Sequence, residues 1–200
     1  MHLSRLKLNL RNSQVRRDLA DAYDMHRSLV RAFVQGKDQR PPRFLWRLEP
    51  ESIWREPTVL VQSSVDPDWS VFSRNDYLKK TPEGKIFDPH ALIELDRLYR
   101  FRLFANPTVT REGKRYGLST EEDQTAWLER QAHKGGFIIE TALITSSDIL
   151  NLRGDDICLQ QACFEGVLRA TDAAALQDTV KAGVGPGKAF GFGLLSLSPR

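Results

Sequence analysis

The order of strand-like and helix-like runs along this chain constrains its fold more than any other feature of the sequence. Residues 3–10 alternate between polar and apolar side chains, which is typical of a half-buried strand. Asn12 or Ser13 is suited to cap a short helix that reaches Ala20. The next predicted runs are a helix (22–34), two strands (44–50 and 58–64), a short helix (69–78) and a loop (82–89). The first half therefore has the order strand, helix, strand, strand, helix, with a final strand left open.

The second half repeats this order. A strand with basic residues between aromatic ones is predicted at 98–109, and residues 114–119 extend it or pair with it. Thr120 and Asp172 are suited to cap the two helices of this half. The other predicted segments are strands at 136–145, 157–171 and 189–197 and a polar stretch at 146–156. The same sequence of elements thus occurs twice along the chain.

This repeated order defines the predicted fold. A length of 200 residues allows one large domain or two domains of about 100 residues each. The order strand, helix, strand, strand, helix, strand is that of a ferredoxin-like domain. We therefore expect an α+β protein with two tandem ferredoxin-like (β-α-β-β-α-β) domains at residues 1–92 and 96–200. The repeat is one of architecture, because the two halves do not visibly align in sequence.

Basic residues are concentrated at the start of the chain. The formal net charge is only +3, but residues 1–50 contain nine arginines and two lysines against four aspartates and one glutamate. A local basic surface of this kind favours a polyanionic partner such as nucleic acid. A solvated arginine-rich surface without such a partner is the alternative.

The sequence lacks the patterns of a secreted or membrane protein. Arg5 and Lys7 interrupt the apolar residues at the N-terminus, so this segment is not a signal peptide. No run reaches the ~18 apolar residues that a membrane helix requires. The two cysteines, Cys158 and Cys163, form no CxxC motif. We therefore expect a soluble, cytoplasmic protein with no membrane partner.

The segment GVGPGKAFGFGLLSL, residues 183–197, suggests a phosphate-binding loop at first sight. A Walker loop requires a glycine at position 182 and Ser or Thr after Lys188, but alanine occupies both positions. The GxGxxG pattern also fails, because lysine or phenylalanine occupies its last position. We therefore expect no nucleotide cofactor. Two glycine pairs remain, Gly183 with Gly185 and Gly191 with Gly193. They suit either a backbone that approaches nucleic acid closely or a tightly packed turn.

One face of the predicted helix 22–34, which Gly36 is expected to end, carries candidate catalytic residues. Tyr23, His26 and Arg27 are three or four residues apart and share a face away from the predicted core stripe. An imidazole and a phenol can transfer protons, and a guanidinium can stabilise a charged phosphorane-like transition state. This set suits phosphodiester cleavage. A surface histidine in a basic helix is the alternative.

The acidic residues do not form a metal-binding pattern. Asp66 and Asp68 flank a proline, residues 121–123 begin a helix, and Asp155 and Asp156 lie in a polar turn. None of them is paired with a histidine at ligand spacing, and acidic residues at a helix start are explained by the helix dipole. We therefore expect cleavage that needs no metal ion and no other cofactor.

Several motifs, in this order, resemble a known family. They are RRDLADAYDMHRSLVRAF, FLWRLEP, VLVQS with PDWS, FRLFANPT and the C-terminal glycine-rich segment. Together they cover essentially the whole chain, which resembles the CasE-type CRISPR-associated endoribonucleases (the Cse3/CasE family). The resemblance implies RRM-like, ferredoxin-like domains of the RAMP superfamily. It also implies a crRNA-processing subunit of type I-E Cascade in antiviral defence.

The resemblance assigns the chemistry to the first motif. The catalytic tyrosine and histidine of the family match Tyr23 and His26, and a neighbouring arginine matches Arg27. It implies that the ribose 2′-hydroxyl attacks the adjacent phosphate, giving a 2′,3′-cyclic phosphate and a 5′-hydroxyl. The sequence leaves open which of the two residues is the acid and which is the base. A module that caps the crRNA 3′ hairpin without cutting it is the alternative.

The resemblance also implies partners: the stem-loop of CRISPR repeat RNA and the other Cascade subunits. The candidate RNA-binding residues are Arg16, Arg17, Arg31, Lys114, Arg115, Arg153, Gly183, Gly185, Lys188, Gly191 and Gly193. One segment departs from the family. The second-domain hairpin of family members is rich in basic residues, whereas residues 146–156 here contain Arg153 and three aspartates. The RNA contacts of this segment are therefore left open.

Overall fold

The computed structural model of this chain describes residues 1–34, 36, 39–50, 56–73, 75–151 and 158–200. By its packing the chain divides into two compact units. The first consists of Met1–Phe87 with Ala189–Gly191, and the second of Asp88–Lys188 with Phe192–Arg200. Each unit contains a four-stranded sheet. Among the described helices, none is long and apolar enough to cross a membrane.

The first unit has the strand order of a ferredoxin-like fold. Its strands are β1 (His2–Lys7), β2 (Phe44–Leu48), β3 (Thr58–Ser63) and β4 (Glu83–Ile86), and its helices are α1 (Ser13–Ala20) and α2 (Ala22–Val30). The sheet order is β2-β3-β1-β4, and all neighbouring strands are antiparallel. Helices α1 and α2 together form the connection from β1 to β2.

Local sequence explains how these helices and this core form. Asn12 begins α1, because its side-chain oxygen accepts hydrogen bonds from the backbone N–H groups of Gln14 and Val15. The core is built by apolar side chains of both helices and of the inner strands: Leu6, Leu8, Val15, Met25, Leu29, Phe44, Val59 and Val61. Burying one such side chain contributes about 1.5–3 kcal/mol. Leu6, Leu8, Met25 and Leu29, each at most 1% exposed, therefore anchor the unit, whereas Leu10 is exposed.

Three predictions for the first half need correction. Helix α2 ends at Val30 rather than at residue 34, because the N–H groups of residues 31–33 bond carbonyls three residues back. The helix predicted at 69–78 is one 3-10 turn, Trp69–Phe72. The segment 82–89, predicted as a loop, contains β4, which is the strand that the sequence left open.

The second unit repeats the arrangement with an added hairpin. Its strands are β5 (Leu98–Ala105), β6 (Thr108–Arg111), β7 (Lys114–Gly117), β8 (Phe137–Asn151), β9 (Cys158–Ala170) and β10 (Leu195–Pro199), and its helices are α3 (Pro89–Leu92), α4 (Glu121–Lys134) and α5 (Ala173–Ala182). The sheet order is β10-β5-β9-β8, again antiparallel. Strands β6 and β7 form a separate two-stranded hairpin.

The strand orders of the two sheets are the same. When only the four strands of each sheet are numbered along the chain, both sheets have the order fourth, first, third, second. This is the strand order of the ferredoxin-like fold. In the second unit α4 and α5 are the two connecting helices, and in the first unit the 3-10 turn stands at the place of the second helix. The predicted α+β fold with two tandem ferredoxin-like units is confirmed.

The predicted caps of the second unit are also confirmed. The hydroxyl of Thr120 accepts a hydrogen bond from the backbone N–H of Asp123 at 3.2 Å, and the carboxylate of Asp172 accepts one from Ala175 at 3.0 Å. Helix α4 ends at Lys134, with Gly135 as its C-cap. The core of the second unit consists of buried side chains from these helices and from strands β5 and β9: Tyr99, Phe101, Leu103, Trp127, Leu128, Phe164, Leu168 and Leu176.

Three strand boundaries of the second half differ from the prediction. The strand predicted at 98–109 ends at Ala105, and residues 108–109 belong to the separate strand β6. Strand β8 continues to Asn151 through the predicted polar stretch, because it remains paired with β9 as far as Cys158. Residues 152–157 lie outside the described residues. The strand predicted at 189–197 begins only at Leu195. Gly191 and Gly193 have φ of 86° and 90°, and a regular strand does not have positive φ.

Candidate active site and RNA-binding residues

Helix α2 separates a buried side from a side that faces solvent. Asp21 caps the helix, because its carboxylate accepts a hydrogen bond from the backbone N–H of Tyr23 at 2.8 Å. Met25 and Leu29 are at most 1% exposed and hold the helix on the sheet. Tyr23, in contrast, is 54% exposed. The helical spacing thus presents the phenol outward from a helix that is fixed from behind.

His26 lies at the boundary between these two sides, and this corrects the prediction that it points away from the core. Its ring is half-buried and stacks on Phe44 of β2, with ring centroids 5.1 Å apart and an angle of 16° between the planes. Phe44 stacks in turn on Phe33, at 4.7 Å. The imidazole therefore rests on an aromatic surface, because stacking and apolar burial favour this place over a solvated one.

The two nitrogens of His26 have different surroundings. Nδ1 is buried and has no hydrogen-bond partner among the described residues. Nε2 does not belong to the buried atoms that lack a partner. Burial lowers the pKa of His26 below its ordinary value of 6.5, because the charged imidazolium loses solvation. The ring is consequently neutral at pH 7, and Nε2 is the atom that can exchange a proton with a ligand.

Arg27 completes the group on this face of α2. Its guanidinium is 3.3 Å from the carboxylate of Asp24 and lies 6.0 Å from the ring centre of Tyr23. The Arg27 side chain is 67% exposed. Tyr23 and Arg27 therefore share an exposed face of α2, as the spacing predicted, and the half-buried His26 lies at the edge of that face. This surface offers a neutral base, a phenolic proton donor and a cation for a phosphate.

The three candidate arginines near this helix have different contacts. Arg16 donates hydrogen bonds to the backbone carbonyls of Leu10 and Arg11, at 2.9 and 2.8 Å. Arg17 is exposed on α1. Arg31 caps α2, and its guanidinium lies 5.6 Å from the ring centre of Phe72. All three are solvent-exposed, and their contact with RNA stays a prediction.

The basic candidates of the second unit lie on the hairpin of β6 and β7. Lys114 and Arg115 are both exposed on β7, next to the turn that joins the two strands. Arg153 lies outside the described residues. The hairpin thus presents two cations to solvent, which suits contact with a phosphate backbone.

The glycine-rich loop is explained to a large extent by its own packing. The candidate glycines Gly183, Gly185, Gly191 and Gly193 all have positive φ. At Gly191 an added Cβ would lie 3.0 Å from the ring of Trp46, whose indole N–H donates to the carbonyl of Ala189 at 3.3 Å. At Gly193 it would lie 2.7 Å from the carbonyl oxygen of Val184. Tight packing thus accounts for Gly191 and Gly193, and contact of the candidate glycines with RNA stays a prediction.

Lys188 is also engaged within the loop. Its ammonium donates a hydrogen bond to the carbonyl oxygen of Gly185 at 2.8 Å, and the side chain is partly buried. An ammonium has three N–H donors, so this bond does not exclude a phosphate contact. The contact itself stays a prediction.

No pattern in the sequence identifies Phe44 as part of the site. Phe44 begins the FLWRLEP strand, and its apolar character predicts burial but not the residue on which it packs. Its link to His26 exists only in the folded unit. Across the described ranges, no three His, Cys, Asp or Glu side chains lie close enough together to hold a metal ion.

The family resemblance is confirmed by comparison with known proteins. A family model described as CRISPR associated protein matches residues 1–199. The chain is 37% identical over 218 residues to the CRISPR-associated endoribonuclease Cse3 of Thermus thermophilus, and the match covers 100% of both chains. It is 31% identical over 193 residues to the CRISPR system Cascade subunit CasE of Escherichia coli, which covers 90% of this chain and 92% of that protein.

A solved structure shows the same similarity in three dimensions. The chain is similar to Thermus thermophilus Cse3 bound to an RNA representing a pre-cleavage complex, with a TM-score of 0.88 and 37% identity. The match covers 99% of this chain and 98% of that one, so it includes both ferredoxin-like units. The roles of Tyr23, His26 and Arg27 remain predictions.

Proposed function

Because the chain belongs to the Cse3/CasE family of CRISPR-associated proteins, we propose that it is an endoribonuclease that binds the stem-loop of a CRISPR repeat transcript and cuts it. The Thermus relative, which matches over its full length, is named an endoribonuclease. One observation in this chain carries the proposal. Tyr23 and Arg27 share an exposed face of α2, and the half-buried ring of His26 lies at the edge of that face with Nδ1 buried.

The proposed reaction uses the RNA's own nucleophile. The ribose 2′-oxygen attacks the adjacent phosphorus, and the bond from phosphorus to the 5′-oxygen of the next nucleotide breaks. One proton leaves the 2′-hydroxyl and one proton reaches the departing 5′-oxygen. The products are a 2′,3′-cyclic phosphate and a 5′-hydroxyl. A DNA backbone lacks the 2′-hydroxyl and is refused.

The surroundings of His26 and Tyr23 suggest how the two proton transfers are divided. A neutral imidazole can accept a proton at once, so we assign His26 as the general base, acting through Nε2 on the 2′-hydroxyl. Tyr23 then donates the proton to the 5′-oxygen. Arg27, exposed beside Tyr23, stabilises the negative charge on the phosphate oxygens. These side chains supply both proton transfers, and the scheme requires no metal ion.

The same proposal covers RNA binding and retention of the product. We propose that the exposed arginines of α1 and α2, the β6–β7 hairpin and the glycine-rich loop with Lys188 contact the RNA backbone. Such contacts give affinity with little sequence information, so stem shape supplies most of the recognition. The Escherichia coli relative is named a Cascade subunit. The protein is accordingly proposed to stay on its crRNA product within Cascade.

A cleavage assay in excess EDTA tests this proposal. The substrate is a labelled hairpin of the CRISPR repeat from the same genome, incubated with wild type and with His26→Ala. A second hairpin carries a 2′-deoxy nucleotide at the scissile position. Wild type is expected to cleave the first hairpin, and either change is expected to slow cleavage by about 10²–10⁴-fold. His133→Ala, at an exposed position in the last turn of α4, is the matched control and is expected to cleave normally.

The other outcomes each contradict a separate part of the proposal. If wild type binds the hairpin tightly without cleaving it, the alternative function holds: a module that caps the crRNA 3′ hairpin without cutting it. Cleavage by His26→Ala at the wild-type rate shows that the active site lies elsewhere. Cleavage that EDTA abolishes and added Mg²⁺ restores shows that the reaction uses a metal ion.

A further inference from the structure

A buried carboxylate lies behind the candidate active site, and the proton-transfer scheme does not use it. Asp18 of α1 is 3% exposed. The hydroxyl of Tyr77, a residue with no exposed surface, donates a hydrogen bond to Asp18 Oδ2 at 2.6 Å. Two ionisable side chains are therefore paired inside the core of the first unit. Burial of such groups is unfavourable unless they are hydrogen-bonded, and the hydrogen bond between Tyr77 and Asp18 offsets part of this cost.

The pair is connected to helix α2 at two points. Ser28 Oγ accepts a hydrogen bond from the amide of Gln14 of α1 at 3.0 Å, and the Ser28 hydroxyl is near enough to Asp18 to lower the pKa of its carboxyl. The hydroxyl of Tyr77 lies 3.6 Å from Met25 Sδ. Met25 precedes His26, and Ser28 follows Arg27. The contacts thus reach α2 directly behind its catalytic candidates.

Tyr77 itself is held in a fixed place. Its ring stacks on Phe72, with centroids 4.5 Å apart and an angle of 24° between the planes. The guanidinium of Arg31, at the end of α2, lies over the ring of Phe72, 5.6 Å from the ring centre. The phenol is therefore packed against Phe72 and contacts both helices, α1 through Asp18 and α2 through Met25.

The electrostatics of the pair agree with a fixed hydrogen bond. Desolvation is the main cause that raises the pKa of Asp18, and the nearby hydroxyls of Ser28 and Tyr77 act in the opposite direction. Burial also raises the pKa of Tyr77, so its hydroxyl keeps the proton that it donates. Buried polar pairs of this kind add little net stability compared with an apolar core, but they define one geometry.

We propose that Asp18 and Tyr77 are positioning residues of the active site: their hydrogen bond fixes the place of α2 and thereby the direction of Tyr23 and His26. The inference rests on the proposed function for its kinetic test. A helix moves as a rigid rod over one or two turns, so a shift at Met25 and Ser28 shifts the opposite face by a similar distance. Misplacement by about 1 Å can slow a reaction by about 100-fold.

Tyr77→Phe tests the proposal, because it removes the hydroxyl and keeps the ring. Tyr99→Phe in the second unit is the matched control. Tyr99 is 1% exposed, and its hydroxyl also makes two hydrogen bonds, accepting from Glu94 N–H and donating to the Leu92 carbonyl, both at 2.9 Å. Single-turnover cleavage is measured with saturating protein, well below the unfolding temperature of each variant. Tyr77→Phe is expected to slow cleavage by about 10- to 100-fold with unchanged hairpin affinity. Tyr99→Phe is expected to cleave like wild type.

Two further variants keep the test decisive if Tyr77→Phe folds poorly. Asp18→Asn retains a carbonyl oxygen that can accept from Tyr77 and is expected to keep most of the activity. Ser28→Ala removes one connection to α2 while leaving a good helix former, and a smaller loss of rate is expected. Equal rates for Tyr77→Phe and Tyr99→Phe, or for Ser28→Ala and wild type, overturn the proposal.

A second readout does not depend on RNA cleavage. The Cε1–H resonance of His26 is followed by NMR in the RNA-free protein at fixed pH. Tyr77→Phe is expected to shift this resonance, because His26 moves relative to the ring of Phe44, and Tyr99→Phe is expected to leave it in place. An unmoved resonance in Tyr77→Phe overturns the positioning role. Absence of cleavage by wild type contradicts only the proposed function, and the resonance then decides this inference alone.

Discussion

The exposed face of α2 and the glycine-rich loop at residues 183–193 are both unusual in composition, but packing explains them to different extents. In the loop, Gly193 is required by its backbone conformation and by the nearby carbonyl of Val184, and the ammonium of Lys188 bonds a loop carbonyl. On α2, Tyr23 and Arg27 extend into solvent, and nothing in the core of the unit requires a phenol or a guanidinium at these positions.

This difference bears on how a motif is connected with function. A residue that internal packing already requires gives no independent indication of a ligand. A chemically capable group that packing does not require does give one, and a histidine held with one nitrogen buried gives more. The functional proposal therefore rests on α2, and the glycine-rich loop is first of all a structural element.

The largest effect is expected from replacing Gly193. Gly193→Ala places a side chain at a φ of 90° and a Cβ 2.7 Å from the carbonyl oxygen of Val184. We expect the free energy of unfolding to fall by about 2–4 kcal/mol, measured by urea denaturation. The cleavage rate of the protein that remains folded is expected to be close to that of wild type.

Gly84→Ala is the matched control for this substitution. Gly84 lies in β4 with no positive φ, and an added Cβ would have only the carbonyl of Leu3 at 4.0 Å. Its stability is expected to change by less than about 1 kcal/mol. The packing explanation of Gly193 is wrong if Gly193→Ala is as stable as Gly84→Ala, since packing would then not require this glycine.

Local rules in the sequence predicted much of the fold. The sequence predicts Thr120 and Asp172 as helix caps, and Asn12 as one of two candidates, because their side chains satisfy backbone N–H groups only a few residues away. The start of β10 could not be found in this way. Alternation in AFGFGLLSL favours a strand, and only the folded loop requires the positive φ of Gly191 and Gly193 that delays it to Leu195.

The site shows the same limit. The spacing of Tyr23, His26 and Arg27 predicts a shared face, because that property is local to one helix. The half-buried state of His26 depends on Phe44, which a different strand supplies. The hydrogen bond from Tyr77 to Asp18 likewise joins residues that are far apart in sequence. Contacts of this kind have no periodic signature, so the sequence could name the reactive groups and not their environment.

The pH profile of cleavage tests the role of His26 on α2, and a smaller effect is expected. Burial lowers the pKa of His26 below 6.5, and a general base is active in its neutral form. The single-turnover rate is therefore expected to rise about tenfold per pH unit below that pKa and to level off before pH 7. The rate is measured on the repeat hairpin between pH 4.5 and about 8 at constant ionic strength. A rate that falls as the pH rises through this range assigns His26 as the general acid instead.

The smallest effect is expected for Lys188, and it tests whether the loop contributes to RNA binding at all. Lys188→Met removes the hydrogen bond to Gly185 and is expected to cost about 1 kcal/mol of stability. Lys114→Met, at an exposed position of β7, is expected to cost none.

Hairpin affinity of the same two variants is measured at several salt concentrations. Loss of one phosphate contact reduces the slope of log affinity against log salt by about 0.7–0.9. We expect a reduction of this size for Lys114→Met and a smaller one for Lys188→Met, because the ammonium of Lys188 is already bonded within the loop. An equal or larger reduction for Lys188→Met means that RNA draws this ammonium away from Gly185, and the loop is then a binding element as well as a structural one.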